Sequence, residues 1–296
     1  MARRSRPPKG SHEPLTYPLG PVAIATGVAE LIPDPDSSSR VTLQVNGMPS
    51  SFVDLADPGF LAFEYMQIMD AVVGHLFPGS TPISALHLGA GGCTLARAWD
   101  WARPGSRQLA VDIDTSLTER VRKWFNLPRA PRLRLRAQDA ADALSTAKPD
   151  SYDVVVRDVF AGDTTPEPLT TLTAVTNALA ALRPGGVYLV NCADKPPLTS
   201  TRRELATLSR VVTMDSVALV AEPAILKSRR YGNLVLVAVK GAADLTSPML
   251  ARRLRTLPVP AAIVAGEALT KFIGTAHPIN PRIADTAPAV TSHEKA

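Results

Sequence analysis

Cysteine is nearly missing from this chain: Cys93 and Cys192 are the only two among 296 residues. Two thiols cannot staple a chain of this length, so a disulfide framework is excluded and a cytosolic compartment fits best. Aromatic residues are scarce at 5%, which argues against single-strand nucleic-acid binding by rows of stacking rings. No run of 18 or more apolar residues occurs, so no membrane-spanning helix and no membrane partner are expected. The segment Val22 to Ile32 is mostly apolar after a basic start. Glu30 interrupts it, a Pro-rich polar stretch precedes it and no small-residue cleavage site follows, so it does not read as a signal peptide. No His, Cys or carboxylate spacing suits zinc, and no phosphate loop of the G-x-x-x-x-G-K-[ST] type exists.

What is present is an ordinary globular composition, 45% hydrophobic and 20% charged, enough to bury a core. The net charge of +5 comes from 32 Lys and Arg against 27 Asp and Glu. Four of the cations, Arg3, Arg4, Arg6 and Lys9, lie in an acid-free start; without them 28 basic residues face 27 acidic ones. The basicity therefore reads as a solubilising arm, and no nucleic-acid partner is expected.

The pattern divides the chain into a flexible basic arm (1–20), a small β unit (21–58), a Rossmann-like nucleoside-binding domain (59–240) and a C-terminal extension, partly disordered (241–296). In the β unit, residues 22–32 and 40–45 have strand character, Pro33 to Asp36 with the following serines read as a loop, and Asn46-Gly47 marks a hairpin turn. Residues 60–77 repeat apolar positions at helical spacing. Strands are then predicted at 83–88, 107–113, 133–137, 152–156, 187–191, 211–220 and 234–239. Helices are expected between them, one of them at 169–182 and closed by Pro184-Gly185-Gly186. That alternation predicts an α/β fold with a parallel, doubly wound sheet.

Ligands of such sheets sit at the carboxyl ends of the strands, beside the point where strand order reverses. The turn after the first strand reads Gly89-Ala90-Gly91-Gly92. Its glycines permit positive φ and close approach of backbone to a ligand, although many strand-to-helix turns need glycine for geometry alone. Asp112, 23 residues after Gly89, ends the second strand, where a carboxylate can accept both ribose hydroxyls of an adenosine. Asp139 ends the third, where a carboxylate can accept from an adenine amino group. The third glycine of the dinucleotide fingerprint is missing, because Thr94 and Leu95 follow the loop. A phosphate-free adenosine carrying a sulfonium fits better than a pyrophosphate. Asp114 is the weaker ribose candidate and a potential helix cap.

The segments QVNGMPSSFVDL, LHLGAGGCTLAR, AVDID, RAQDAADAL, YDVVVRDVFAGDTTP and LRPGGVYLV, in this order and spacing over roughly residues 40–240, resemble the spermidine synthase family of aminopropyltransferases, built on a methyltransferase-type fold. The resemblance implies Asp112 as the ribose-binding acid, Asp139 as the adenine-binding acid and Asp158 as the catalytic aspartate. It places Asp163 in the loop of a second amine-facing aspartate, and it implies a soluble homodimer acting on a small-molecule amine. Three departures stand out. The family's loop aspartate, which holds the donor's aminopropyl ammonium, is absent from Gly91-Gly92-Cys93. Phe63-Glu64-Tyr65 replaces Tyr-His-Glu. Val159-Phe160-Ala161-Gly162 intervenes before Asp163. The donor is therefore decarboxylated S-adenosylmethionine or, compatibly with the missing acid, S-adenosylmethionine itself. Three functions stay open: aminopropyl transfer, methyl transfer to a small molecule, and nucleoside binding without catalysis.

Displacement at carbon beside a sulfonium needs positioning and an unprotonated amine. Asp158 is the candidate base; the alternative is a loop cap or a partner of Arg157. Tyr65, with Tyr17 and Tyr231, is a candidate for the acceptor pocket. His75 and His87 read as packing or surface positions, and Cys93 as small-residue packing. Lys227, Arg229 and Arg230 read as a solvated hairpin tip, with contact to an acidic substrate as the alternative.

Overall fold

The structure is a computed structural model describing residues 17–162 and 164–280; the four arm cations and Asp163 lie outside them. An antiparallel meander comes first: β1 (Val22–Ile24), β2 (Gly27–Asp34), β3 (Ser37–Val45) and β4 (Met48–Asp54). Asn46 and Gly47 turn β3 into β4 with φ of 52° and 78°, the left-handed pair that a two-residue hairpin requires. The loop expected from Pro33 through the serines is shorter than the sequence suggests. β2 continues to Asp34 and β3 starts at Ser37, because the Asp34 carboxylate accepts the Asp36 amide at 2.8 Å and closes a tight turn. Alternate residues Ala29, Leu31, Val41, Leu43 and Val53 form the buried face and share a core with Ala96, Leu117, Val121 and Phe125 of the larger domain.

The second sheet has eight strands in the order β12-β10-β11-β9-β8-β5-β6-β7. β5 (Ser84–Leu88), β6 (Arg107–Asp112), β7 (Leu133–Ala137), β8 (Tyr152–Arg157) and β9 (Leu182–Asp194) are parallel. β11 (Gly232–Val239), β10 (Val217–Ala221) and β12 (Ala262–Ala265) join by antiparallel pairing, so the sheet is mixed and not wholly parallel. Helices α1 (Glu64–Leu76), α2 (Thr94–Ala102) and α8 (Pro248–Arg255) pack on one face. α4 (Ala140–Ser145), α5 (Leu172–Ala181), α6 (Thr199–Leu208) and α9 (Gly266–Ile273) pack on the other. α3 (Thr115–Trp124) lies beneath the small meander. No helix among the described residues is long and apolar enough to cross a membrane.

Three expectations change. Pro184-Gly185-Gly186 does not stop α5 in a loop; β9 begins at Leu182 and carries these residues, and the Gly185 amide donates to Lys240 O at 2.7 Å. The strand expected over 211–220 is shorter, since a helical turn at Met214–Ser216 precedes β10. Residues 281–296 of the expected C-terminal extension lie outside the described residues; within it, α8, β12 and α9 fold back and add an edge strand to β10. Each buries only two residues of its helix or spans four residues of strand, too little apolar pattern to register in the sequence.

Strand order reverses at β5, between β6 and β8. Gly89 sits there with φ of 86°, its amide bonded to Val111 O at 3.0 Å. A Cβ at this position would lie 2.0 Å from the Asp158 carbonyl oxygen, so the backbones of two neighbouring loops touch only because residue 89 is glycine. Gly89→Ala combines a left-handed backbone with a steric clash, and is expected to cost at least about 2 kcal/mol. Gly79→Ala keeps the positive φ in open space and is expected to cost about 1 kcal/mol. Urea unfolding of the two variants separates the contributions.

Candidate active site

The glycine loop faces inward. The amides of Ala90 and Gly91 donate to Asp112 Oδ2 at 3.3 and 3.2 Å. Gly92 N donates to Ser51 Oγ at 2.8 Å, and Cys93 N to Ala90 O at 2.7 Å. Every loop donor therefore has a protein acceptor, and no row of N–H groups is left for a phosphate. The missing pyrophosphate signature has its structural counterpart here. Ser50 and Ser51 of β4 press on the loop so closely that side chains at Gly91 or Gly92 would meet them. Thr94 Oγ1 donating to Phe52 O and Arg97 to Asp54 O extend this seam. Cys93 takes a left-handed conformation (φ 56°) and is buried, which pushes its thiol up to about 12; it packs and does not react.

Asp112 ends β6 half-buried, its Oδ1 also accepting the Asp114 amide at 3.0 Å. With two lone pairs per oxygen, the carboxylate retains acceptor capacity. Asp114 is the cap of α3, accepting from Leu117 N at 2.7 Å, and it takes both the amide and the hydroxyl of Thr26 from the β1–β2 turn. Burial alone would raise its carboxyl, but these bonds hold it below the usual range. Asp139 is exposed and caps α4 through Oδ1, accepting from Ala141 N and Asp142 N at 2.7 and 3.1 Å. Between these strand tips Ile113 stands 64% exposed, an apolar surface at the mouth that the sequence reading passed over.

Asp158 follows β8, half-buried, its amide bonded to Leu88 O at 2.8 Å. Tyr65 of α1 donates its hydroxyl to Oδ2 at 2.8 Å, and Asn191 of β9 donates Nδ2 to Oδ1 at 2.9 Å. Burial raises the Asp158 carboxyl above its ordinary value, against the pull of the Asn191 and Tyr65 bonds. Burial, and then the Asp158 charge, lift the Tyr65 phenol well above 10 and keep it a donor. Beside Tyr65, Glu64 accepts from Asn233 Nδ2 at 2.9 Å.

Arg157 is not the partner of Asp158. It is fully buried and grips Glu204 of α6 with both terminal nitrogens, at 2.6 and 3.1 Å. It also donates to Leu169 O at 3.1 Å and Asn191 O at 3.4 Å. Burial works against its charge, yet Glu204 holds the guanidinium firmly protonated. The fork thus ties β8, β9, α6 and the chain following Asp158 together.

The structure therefore joins Tyr65 to Asp158 and sets Gly89, Gly91, Gly92 and Asp112 in one contact network, with Asp139 on the adjacent strand tip. His87 is a core residue facing Gln108 at 2.9 Å, and burial pushes it to about 4. Sequence reasoning missed Asn191 and Glu204. A polar residue at the end of the apolar run 187–190 was the available signal for the first; nothing local marked the second.

No family model matches the chain. It is 27% identical over 197 residues to a polyamine aminopropyltransferase of Chromobacterium violaceum, covering 66% of this chain and 70% of that protein. The crystal structure of a probable spermidine synthase from Corynebacterium glutamicum superposes with a TM-score of 0.84 at 33% identity, over 92% of this chain and 99% of that one. Human methyltransferase-like protein 13, solved in complex with SAH, shares the fold at TM-score 0.52 and 22% identity, over 77% and 98% of the two chains.

Two outcomes test the electrostatics. Glu204→Ala strands a buried cation and is expected to cost about 3–5 kcal/mol in urea unfolding, whereas Glu222→Ala at the exposed pair with Arg230 costs at most about 1 kcal/mol. Asp158 has a raised folded-state pKa, so its contribution to stability is full below the unfolded carboxylate value of about 3.9 and is lost as pH rises through the folded value. Asp158→Asn should therefore melt at or above the wild-type Tm at neutral pH, with the difference closing on acidification in calorimetric scans.

Proposed function

The chain belongs to the spermidine synthase family, and from that premise we propose that it transfers an aminopropyl group from an S-adenosyl thioether donor to an amine. The observation that carries this reading is the Asp158 carboxylate, oriented by Tyr65 and Asn191 at the strand tip beside the glycine loop.

In this reading Gly89, Gly91 and Gly92 let the backbone lie close under the donor. Asp112 accepts from the ribose, Asp139 from the adenine through Oδ2, and the exposed Ile113 faces the purine. A donor without phosphate suits a loop whose amides are already bonded. At the other side, Asp158 holds the acceptor's ammonium and takes its proton, for which a raised pKa makes it a stronger base. The freed nitrogen attacks the propyl carbon bonded to sulfur. The C–N bond forms, the C–S bond breaks, and its electron pair returns to sulfur, leaving methylthioadenosine. Asn191 Oδ1, buried without a partner among the described residues, is a further acceptor for the amine's N–H.

Methyl transfer from S-adenosylmethionine is the second reading. It is favoured by one observation: the stretch Gly91-Gly92-Cys93 supplies no acid for a donor's ammonium, and the β4 serine it packs on, Ser51, is buried and bonded to Gly92 N. Nucleoside binding without turnover is the outcome if neither donor reacts.

Incubating the full chain with each donor and an amine decides between them. Release of methylthioadenosine from the decarboxylated donor supports aminopropyl transfer, and release of S-adenosylhomocysteine from the ordinary one supports methylation. Under the first reading Asp158→Asn lowers kcat by roughly 100-fold or more while leaving donor affinity intact. Asp112→Ala weakens donor binding by about 10-fold or more, as expected for losing charge-assisted hydrogen bonds. Full turnover in the Asp158 variant would refute the base.

A further inference from the structure

Three polar residues stand side by side at the carboxyl end of the parallel strands, on the face covered by α1. Side chains alternate between the faces of a strand, and Val156 of β8, Leu189 of β9 and Val235 of β11 belong to the core that α1 closes. Two residues nearer that end, in each strand, come Asp158, Asn191 and Asn233. Because β8, β9 and β11 are neighbours in this order, the three form one row.

The first turn of α1 lies across the row. Tyr65 donates to Asp158 and Glu64 accepts from Asn233, so adjacent residues of one helix reach its two ends. Glu64, Asp158 and Asn233 are half-buried, whereas Tyr65 and Asn191 are buried. Asn191 Oδ1 has no partner among the described residues. Burial is the main cause of the raised Tyr65 pKa, and the charges of Asp158 and Glu64 both add to it, which sets the two carboxylates around one hydroxyl.

No ion pair among the described residues neutralises either carboxylate. Arg157 points to the opposite face and is bound to Glu204. In the turn that follows α7 (Pro223–Leu226), Arg230 pairs with Glu222, and Lys227 and Arg229 line a cleft with Pro258 and Pro260 beyond β10. An acid in a first helical turn suits the helix dipole, which accounts for Glu64 taken alone. Two like charges at one opening disfavour each other, and Asn233 holds Glu64 there. A ligand with two positive charges relieves that repulsion fully; a ligand with one does so in part. From β8 to β11 is two strand steps, about 10 Å. Two charge-assisted hydrogen bonds of about 2.8 Å leave on the order of 5 Å between the nitrogens, the span of a short aliphatic chain.

We infer that Glu64, held by Asn233, is the specificity-determining residue of the acceptor site: it receives the second positive charge of a short α,ω-diamine whose first nitrogen lies on Asp158. The inference rests on the amine-acceptor reading above and adds a residue and a length to it.

The test is calorimetric titration of the full chain with two probes of equal size, 1,4-diaminobutane and pentylamine. Wild type is expected to bind the diamine at least about 10-fold more tightly, the gain of one charge-assisted hydrogen bond. Glu64→Gln keeps an acceptor for Asn233 and removes only the charge; it should bring the two probes within about 2-fold of each other. Glu267→Gln removes the same charge from an exposed position on α9, across the sheet, and should keep the full preference. The inference is overturned if wild type binds neither probe or does not prefer the diamine, if the preference survives in Glu64→Gln, or if both variants lose it equally. Donor turnover is scored separately by methylthioadenosine release. A chain that prefers the diamine through Glu64 but releases no methylthioadenosine keeps this inference and loses the transfer reading. A chain that transfers to both amines without preference does the opposite.

Discussion

The buried fork between Arg157 and Glu204 is the constraint on which the Asp158 end of the sheet depends. One guanidinium, donating four bonds, holds the end of β8, the backbone of β9 at Asn191, the helical turn that precedes α5 through Leu169, and the helix α6. A charge that is removed from water demands such pairing, here through both terminal nitrogens, while Nε has no partner among the described residues. The chain is thereby led past Asp158 in one course, and Asn191 is brought to the carboxylate that it orients. The result is a division of labour between neighbours. Arg157 has a carboxylate of its own, so Asp158 has only neutral hydrogen-bond donors and retains its affinity for a proton.

The same economy of polar partners appears at the glycine loop. Backbone amides that in a dinucleotide fold would greet a pyrophosphate are here satisfied by Asp112 and Ser51. This leaves carboxylate tips and an exposed isoleucine to face a ligand, a surface suited to a neutral sugar and a purine. Chemistry at such a site relies on placement and on removal of a proton, since a sulfonium leaves without help.

Much of the fold could be read from the residues. The runs at 83–88, 107–113 and 152–156 lie where β5, β6 and β8 form, because central strands of a covered sheet are largely apolar; 133–137 becomes edge strand β7, legible by its alternation of Leu and Arg. β12 escaped notice because four residues paired at one edge need little of that pattern. Its partner Val220 lies more than forty residues earlier, and only the folded chain brings them together. In the candidate site, the acids at strand tips, Asp112, Asp139 and Asp158, were legible from the sequence by their place after predicted strands. Residues defined by a distant partner were not. Glu204 looks like any helical glutamate until Arg157, 47 positions away, is placed beside it. Asp139 shows the remaining ambiguity: it caps α4 through Oδ1, and sequence alone does not separate a helix cap from a ligand-facing acid.

The bond from Thr26 to Asp114 has an architectural consequence. The small meander shares its only apolar face with α2 and α3, and its first turn completes the cap of the helix that follows the ribose strand. The meander owns no interior apart from that seam, whereas the eight-stranded sheet carries a core cluster on each face; the meander cannot outlast the sheet, and the two should melt together.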